Sequence, residues 1–308
     1  MELSDFSANT TLTGNDNALI KGRGGTLDNV ILSGVPVVIG GAIEIRNGLT
    51  LNSTVRLDNT ANTPGSQQIF NFFDDQTLSG TGEVVFDGVP ITSSTGTDSA
   101  MRAWEGTLTI GPDIVIRTGT SGGYIQGIDG SNAGFIINQG TIIAQTPDKP
   151  LTLSRLANQG TIQVTDGTLR IAKMSIGDLG TIDRTGGTVQ IIGDFDITGQ
   201  VYDLAATTGT TQLALDGTIV GGVIRGDANT RLEVVYTLGN TDTELHGVTL
   251  AAYVHLEHKA DLIIRDGLTL LSGNTISLYR EDDGTSSHTS VSSKGGSQTL
   301  DGGGTIVF

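Results

Sequence analysis

The chain has 308 residues, with 33 acidic side chains against 17 lysines and arginines, a formal net charge of −16. That balance argues against binding naked nucleic acid, which needs a basic face to displace phosphate counterions. The absence of cysteine excludes disulfides, thiolate metal sites and cysteine nucleophiles, and no apolar run approaches the length of a membrane span.

Glycine supplies 45 residues and charged residues only 16 %, so threonine, serine, asparagine and glycine must cover much of the surface. The start, Met1-Glu2-Leu3-Ser4-Asp5, lacks the basic and apolar regions of a signal peptide. It reads as the beginning of a segment of a longer protein.

The first recognisable blocks lie between 26 and 86. They are Leu27-Asp28-Asn29-Val30-Ile31-Leu32, Arg46-Asn47-Gly48-Leu49-Thr50-Leu51, Gln76-Thr77-Leu78-Ser79-Gly80 and Val84-Val85-Phe86. Asp74-Asp75 forms an acidic turn, too poor in oxygens to cage a calcium ion unaided. The only tryptophan, Trp104, offers either a sugar-stacking ring or a buried anchor at a coil end.

The central third sets the architecture. Gly-Thr-Ile recurs at 140–142, 160–162 and 180–182, and Asn138-Gln139 recurs as Asn158-Gln159. Ile136, Leu156 and Ile176 keep the same step of 20. A fixed period of this length marks a solenoid whose coils cannot bury their apolar faces alone. Within a coil, Ile162 and Val164 alternate with Thr161 and Gln163, and Leu169 and Ile171 alternate with Thr168 and Arg170 after the Asp166-Gly167 turn. Alternation with period two over short runs means strands buried on one side.

The expectation is an all-β protein, a parallel β-helix with about 20 residues and three strands per coil, running as a single solenoid over 1–308. Ile142, Ile162 and Ile182 stack inward. Asn138, Asn158 and Asp178 share a corner column in which stacked amides bond along the axis. The glycines at 140, 160 and 180 supply the backbone angles of the turns.

Asp194 and Asp196 bracket Phe195 and would both point outward, about 7 Å apart. That spacing is near the range of inverting glycosidases, which makes them the catalytic alternative, against two solvated acids. The blocks of 26–86 then return at 244–308, as Leu245 to Leu250, Arg265 to Leu270, Gln298 to Gly302 and Ile306-Val307-Phe308, at offsets of about 220. Near the second copy, His255 and His258 flank Leu256-Glu257, with His246 nearby. They read as surface histidines rather than a metal site. Glu281-Asp282-Asp283 reads as a second acidic turn, placed like Asp74-Asp75. The irregular stretches 59–73 and 285–296 are where a cleft would sit. No cofactor or metal is expected.

The blocks Gly48 to Asn52, Gln76 to Gly82, Gly106 to Pro112 and Asn-Gln-Gly-Thr-Ile at 138–142 and 158–162 resemble repeats of very large bacterial surface proteins, the filamentous-haemagglutinin-like and autotransporter-passenger-like adhesins. The resemblance implies a right-handed β-helix, export to the cell surface, and an adhesive or structural role as a stiff rod. It carries over no catalytic residues. The alternatives are a polysaccharide-active β-helix enzyme, lyase or glycosidase, and a glycan-binding module. The expected partners are glycans or other cell-surface components, together with end-to-end association of the solenoid itself.

Overall fold

The computed structural model describes residues 2–3, 10–13, 20–34, 36–58, 60, 68–88, 99–237, 243–282, 288–296 and 298–308. The chain is a parallel β-solenoid. Among the described residues, helix is confined to the turns Gly130–Asn132, Ile176–Leu179 and Leu204–Thr207. Contacts divide the chain into two compact units, one of residues 1–169 with 178–187, the other of residues 170–177 with 188–308.

In the first unit each coil contributes three strands, for example Val115–Thr118, Gly123–Gly127 and Gly134–Asn138. Each pairs in parallel with its counterpart one coil on. Val115 faces Thr141, which faces Thr161, which faces Thr181. Ile125 faces Leu153 and Ile136 faces Leu156. The step of 20 holds from Thr141 to Thr181, but more residues separate the partners where Thr54 faces Glu83 and Glu83 faces Val115.

The second unit repeats the plan: after Arg231–Val234, the long strand Thr243–Ala251 fills the other two positions of the coil, pairing with Thr218–Val220 and Val223–Arg225, and Tyr253–Leu256 begins the next coil beside Arg231–Val234. Thr211 faces Leu232, Leu232 faces Val254, and Val254 faces Ile276. Period-two alternation decides what is inside. Ile142, Ile162, Phe195, Leu232 and Val254 are wholly buried, while their sequence neighbours face out. Tyr202 is also wholly buried, and its hydroxyl bonds Thr208 at 2.6 Å and Thr211 at 3.0 Å, so its polar end is satisfied.

Two expectations at this stack need correction. Ile182 is in register with Ile162 but only half-buried, because Thr181–Arg184 is the last strand of its nine-stranded sheet. Ile176 lies in the short helix Ile176–Leu179 and is half-buried, outside the apolar column of Ile136 and Leu156.

The glycines of the Gly-Thr-Ile corner also differ from expectation. Only Gly180 has a positive φ, +60°. Gly140 and Gly160 are required by close packing, since a Cβ on Gly160 would lie 2.1 Å from the Gly140 carbonyl oxygen and one on Gly140 2.3 Å from that of Ile114.

The blocks of the long repeat share one local geometry. Thr26–Ser33 pairs with Ala42–Asn52 across a register shift between Asp28 and Val30. Thr243–Ala251 pairs with Asp261–Leu270 across a shift between His246 and Val248. The shift falls at left-handed residues, Asn29 and Asn47 in the first copy and Gly247 and Asp266 in the second, the residue types that tolerate that conformation. A glutamine closes each corner. Gly48 N donates to Gln76 Oε1 at 3.1 Å, and Gly267 N donates to Gln298 Oε1 at 2.8 Å.

This register corrects the pairing of the acidic turns. The corner before Gln298 holds Gly295 and Gly296, so Glu281 and Asp282 are not the counterparts of Asp74 and Asp75. Asp283 lies outside the described residues, as do most of 59–67 and 285–287.

Candidate functional site

The outer face of the second unit carries an aligned column of polar side chains. Arg170 Nε donates to Gln190 Oε1 at 2.9 Å, and Gln190 Nε2 donates to Gln212 Oε1 at 2.8 Å. Gln212 is in register with Glu233, Glu233 with His255, and His255 with Ser277. Each sits between inward residues, so alternation alone turns the whole column to solvent.

The lower end of this column is an aromatic strip. Tyr253 and His255 lie two residues apart on Tyr253–Leu256, with ring centroids 6.4 Å apart and planes 17° apart. Tyr279 follows Thr275–Leu278 on the next coil, its ring 6.3 Å from that of His255 and tilted by 36°. Ser277 ties the strip together, its Oγ 2.6 Å from the Tyr253 hydroxyl and 2.9 Å from His255 Nδ1.

Two carboxylates edge the strip. Glu233 accepts from Arg231 Nε at 2.8 Å and Nη2 at 2.5 Å. Glu257, the next outward residue after His255, is half-buried. Burial, helped by the charge on Glu233 and opposed by His255, raises its carboxyl above the ordinary range. Sequence reasoning picked out His255 but missed Tyr253, Tyr279, Ser277 and Glu233. The alternation Tyr253-Val254-His255-Leu256-Glu257 was there to read, but Ser277 and Tyr279 join it only through the coil register.

The corner ladder is partly as expected. Asn138 Nδ2 donates to Asn158 Oδ1 at 2.7 Å, and both side chains are buried. Asp178 is not its third member. The chain coils into Ile176–Leu179 there, and Asn158 Nδ2 donates instead to the carbonyls of Leu179 at 3.3 Å and Thr181 at 3.1 Å.

Asp194 and Asp196 are exposed on either side of buried Phe195. Thr198 N donates to Asp196 Oδ1 at 2.8 Å, and hydrogen bonds from the Thr198 side chain and backbone hold the Asp196 carboxyl below its ordinary value. A glycosidase general acid needs the opposite shift.

The histidines have separate partners. His246 Nε2 lies 2.5 Å from Glu244 Oε2, which Arg265 also binds at 2.7 Å through Nε. His258 Nδ1 accepts from Glu281 N at 3.1 Å. Among the described residues no three histidine or acidic side chains are grouped to hold a metal.

Trp104 is half-buried on its coil, its ring 6.0 Å from that of Phe73. With the Asn132 amide oriented to satisfy both of its atoms, the indole N–H donates to Asn132 at 3.0 Å.

No helix among the described residues is long and apolar enough to cross a membrane. No family model, curated protein or solved structure matches the chain.

Proposed function

We propose that the chain is a structural and adhesive segment of a large bacterial extracellular repeat protein, a stiff scaffold for surface attachment or matrix binding. The observation that carries this reading is the outward column from Arg170 through Gln190, Gln212, Glu233 and His255 to Ser277. It presents polar side chains at every coil, at the spacing of neighbouring strands, about 4.8 Å. Weak contacts repeated along such a column add through avidity whenever a ligand also repeats. The scaffold is held from within by apolar stacks and the Asn138–Asn158 bond, which leaves the outer positions free to vary. The resemblance of the Gly-Leu-Thr-Leu and Asn-Gln-Gly-Thr-Ile blocks to bacterial surface adhesins supports the cell-surface setting.

The glycan-binding alternative is favoured by one specific observation, the exposed rings of Tyr253 and Tyr279. It is compatible with adhesion, because a binding face can belong to a scaffold. The test is adhesion of beads coated with the protein to surfaces bearing bacterial or host polysaccharides, under flow. Retention that rises steeply with coating density supports a multivalent adhesive. Beads that release from every surface at the rate of uncoated beads contradict it.

A further inference from the structure

We infer that the strip Tyr253–His255–Tyr279, edged by Glu257, is a binding site for a neutral hexopyranose chain. The inference rests on the adhesive reading and names the ligand class of one face. The chain is poor in aromatics, with 5 tyrosines and 1 tryptophan in 308 residues. Tyr202 is spent in the core, yet Tyr253 and Tyr279 stand 37 % and 51 % exposed on adjacent coils. Leaving such rings in water forgoes hydrophobic stabilisation that burial would supply.

The rings are also preorganised. The Ser277 hydroxyl meets both the Tyr253 hydroxyl and His255 Nδ1, which fixes two of the three in place before any ligand arrives. The rings of Tyr253 and His255 lie near-parallel, with Tyr279 tilted beyond them, and their centres step by 6.4 and 6.3 Å. Exposed aromatic rings in a row offer apolar surface to the C–H groups of successive pyranose rings. Sugar hydroxyls at the margin have an acceptor in Glu257, which borders the strip two residues beyond His255.

Charge decides among sugars. A polyuronate would meet Glu233, Glu257 and a net charge of −16. A polyamine glycan would be attracted to the whole acidic surface, without preference for this strip, and its binding would be screened by salt. A neutral chain gains from the rings and depends on neither.

The test is affinity electrophoresis of the full chain in gels containing a β-glucan, a mannan or a galactan, with polygalacturonate and chitosan in parallel gels. The expected result is retardation by at least one neutral polysaccharide, undiminished at high salt and weakened about tenfold or more by Tyr253→Ala and by Tyr279→Ala. Both tyrosines are exposed, so unchanged circular dichroism and urea midpoints will show that the variants fold. Retardation by no neutral polysaccharide overturns the inference. So does retardation that both variants leave intact, and so does binding confined to chitosan and lost in salt. Coated beads separate this inference from the adhesive reading. If beads carrying the double tyrosine variant adhere as well as the parent, the site falls and the adhesive reading stands; if parent beads never adhere, that reading falls as well.

Discussion

Asn138 and Asn158, one coil apart, are joined by a 2.7 Å bond from Nδ2 to Oδ1 inside the solenoid, where both side chains are buried. One position out, Gln139 and Gln159 repeat the bond on the surface at 3.3 Å. The same chemistry therefore occurs twice in the same coils, once dry and once wet.

Asn158→Ala removes the acceptor of Asn138 and the donor to two carbonyls, at a cost of about 1–3 kcal/mol. Gln159→Ala removes an exposed bond and costs under about 0.5 kcal/mol. Urea denaturation of both variants checks the order, and equal losses would show that burial does not set the value of the ladder.

The apolar stack gives a graded prediction. Ile162→Ala empties a wholly buried site and costs about 2–5 kcal/mol. Ile182→Ala, in the same column but half-buried at the last strand of its sheet, costs less than half as much. A larger loss at Ile182 than at Ile162 would mean that the end of this sheet is covered in solution.

The stack and the ladder show what the sequence could and could not reveal. The step of 20 was enough to place Ile142 on Ile162 and Asn138 on Asn158, because identical residues in identical coils leave the backbone no reason to change. The same step extended to Ile176 and Asp178 failed. There the sequence Ile-Gly-Asp-Leu turns into a short helix, and a periodic pattern carries no warning of the coil at which it stops. The long repeat was legible through Gln76 and Gln298, whose side chains close the same corner. The aromatic strip was not, because Tyr253 and Tyr279 belong to coils whose spacing of 22 appears only in the strand pairing.

Acid should weaken the fold through two glutamates. A bond from Arg117 holds Glu83 below its ordinary value of 4.5, against the opposing effect of burial, and Arg265 does the same for Glu244. A carboxyl whose folded pKa is depressed stabilises the fold above its unfolded pKa. Stability is therefore fully present at neutral pH, begins to fall near 4.5 and continues to fall as the pH drops through the folded values. Glu83→Gln and Glu244→Gln should each lower the urea midpoint at pH 7 and flatten its dependence on pH below 4.5. A variant with the parent's full acid sensitivity would show that its glutamate is not a source of it.

On the adhesive reading, the solenoid is expected to hold its ligand without changing it. The direct measurement incubates the full chain with the polysaccharide that retards it most, then determines both the binding isotherm and the length distribution of the recovered polysaccharide. Saturable binding with the length distribution unchanged is the expected result. Shortening of the polysaccharide that is lost in Asp194→Asn or Asp196→Asn would contradict it and make the protein an enzyme.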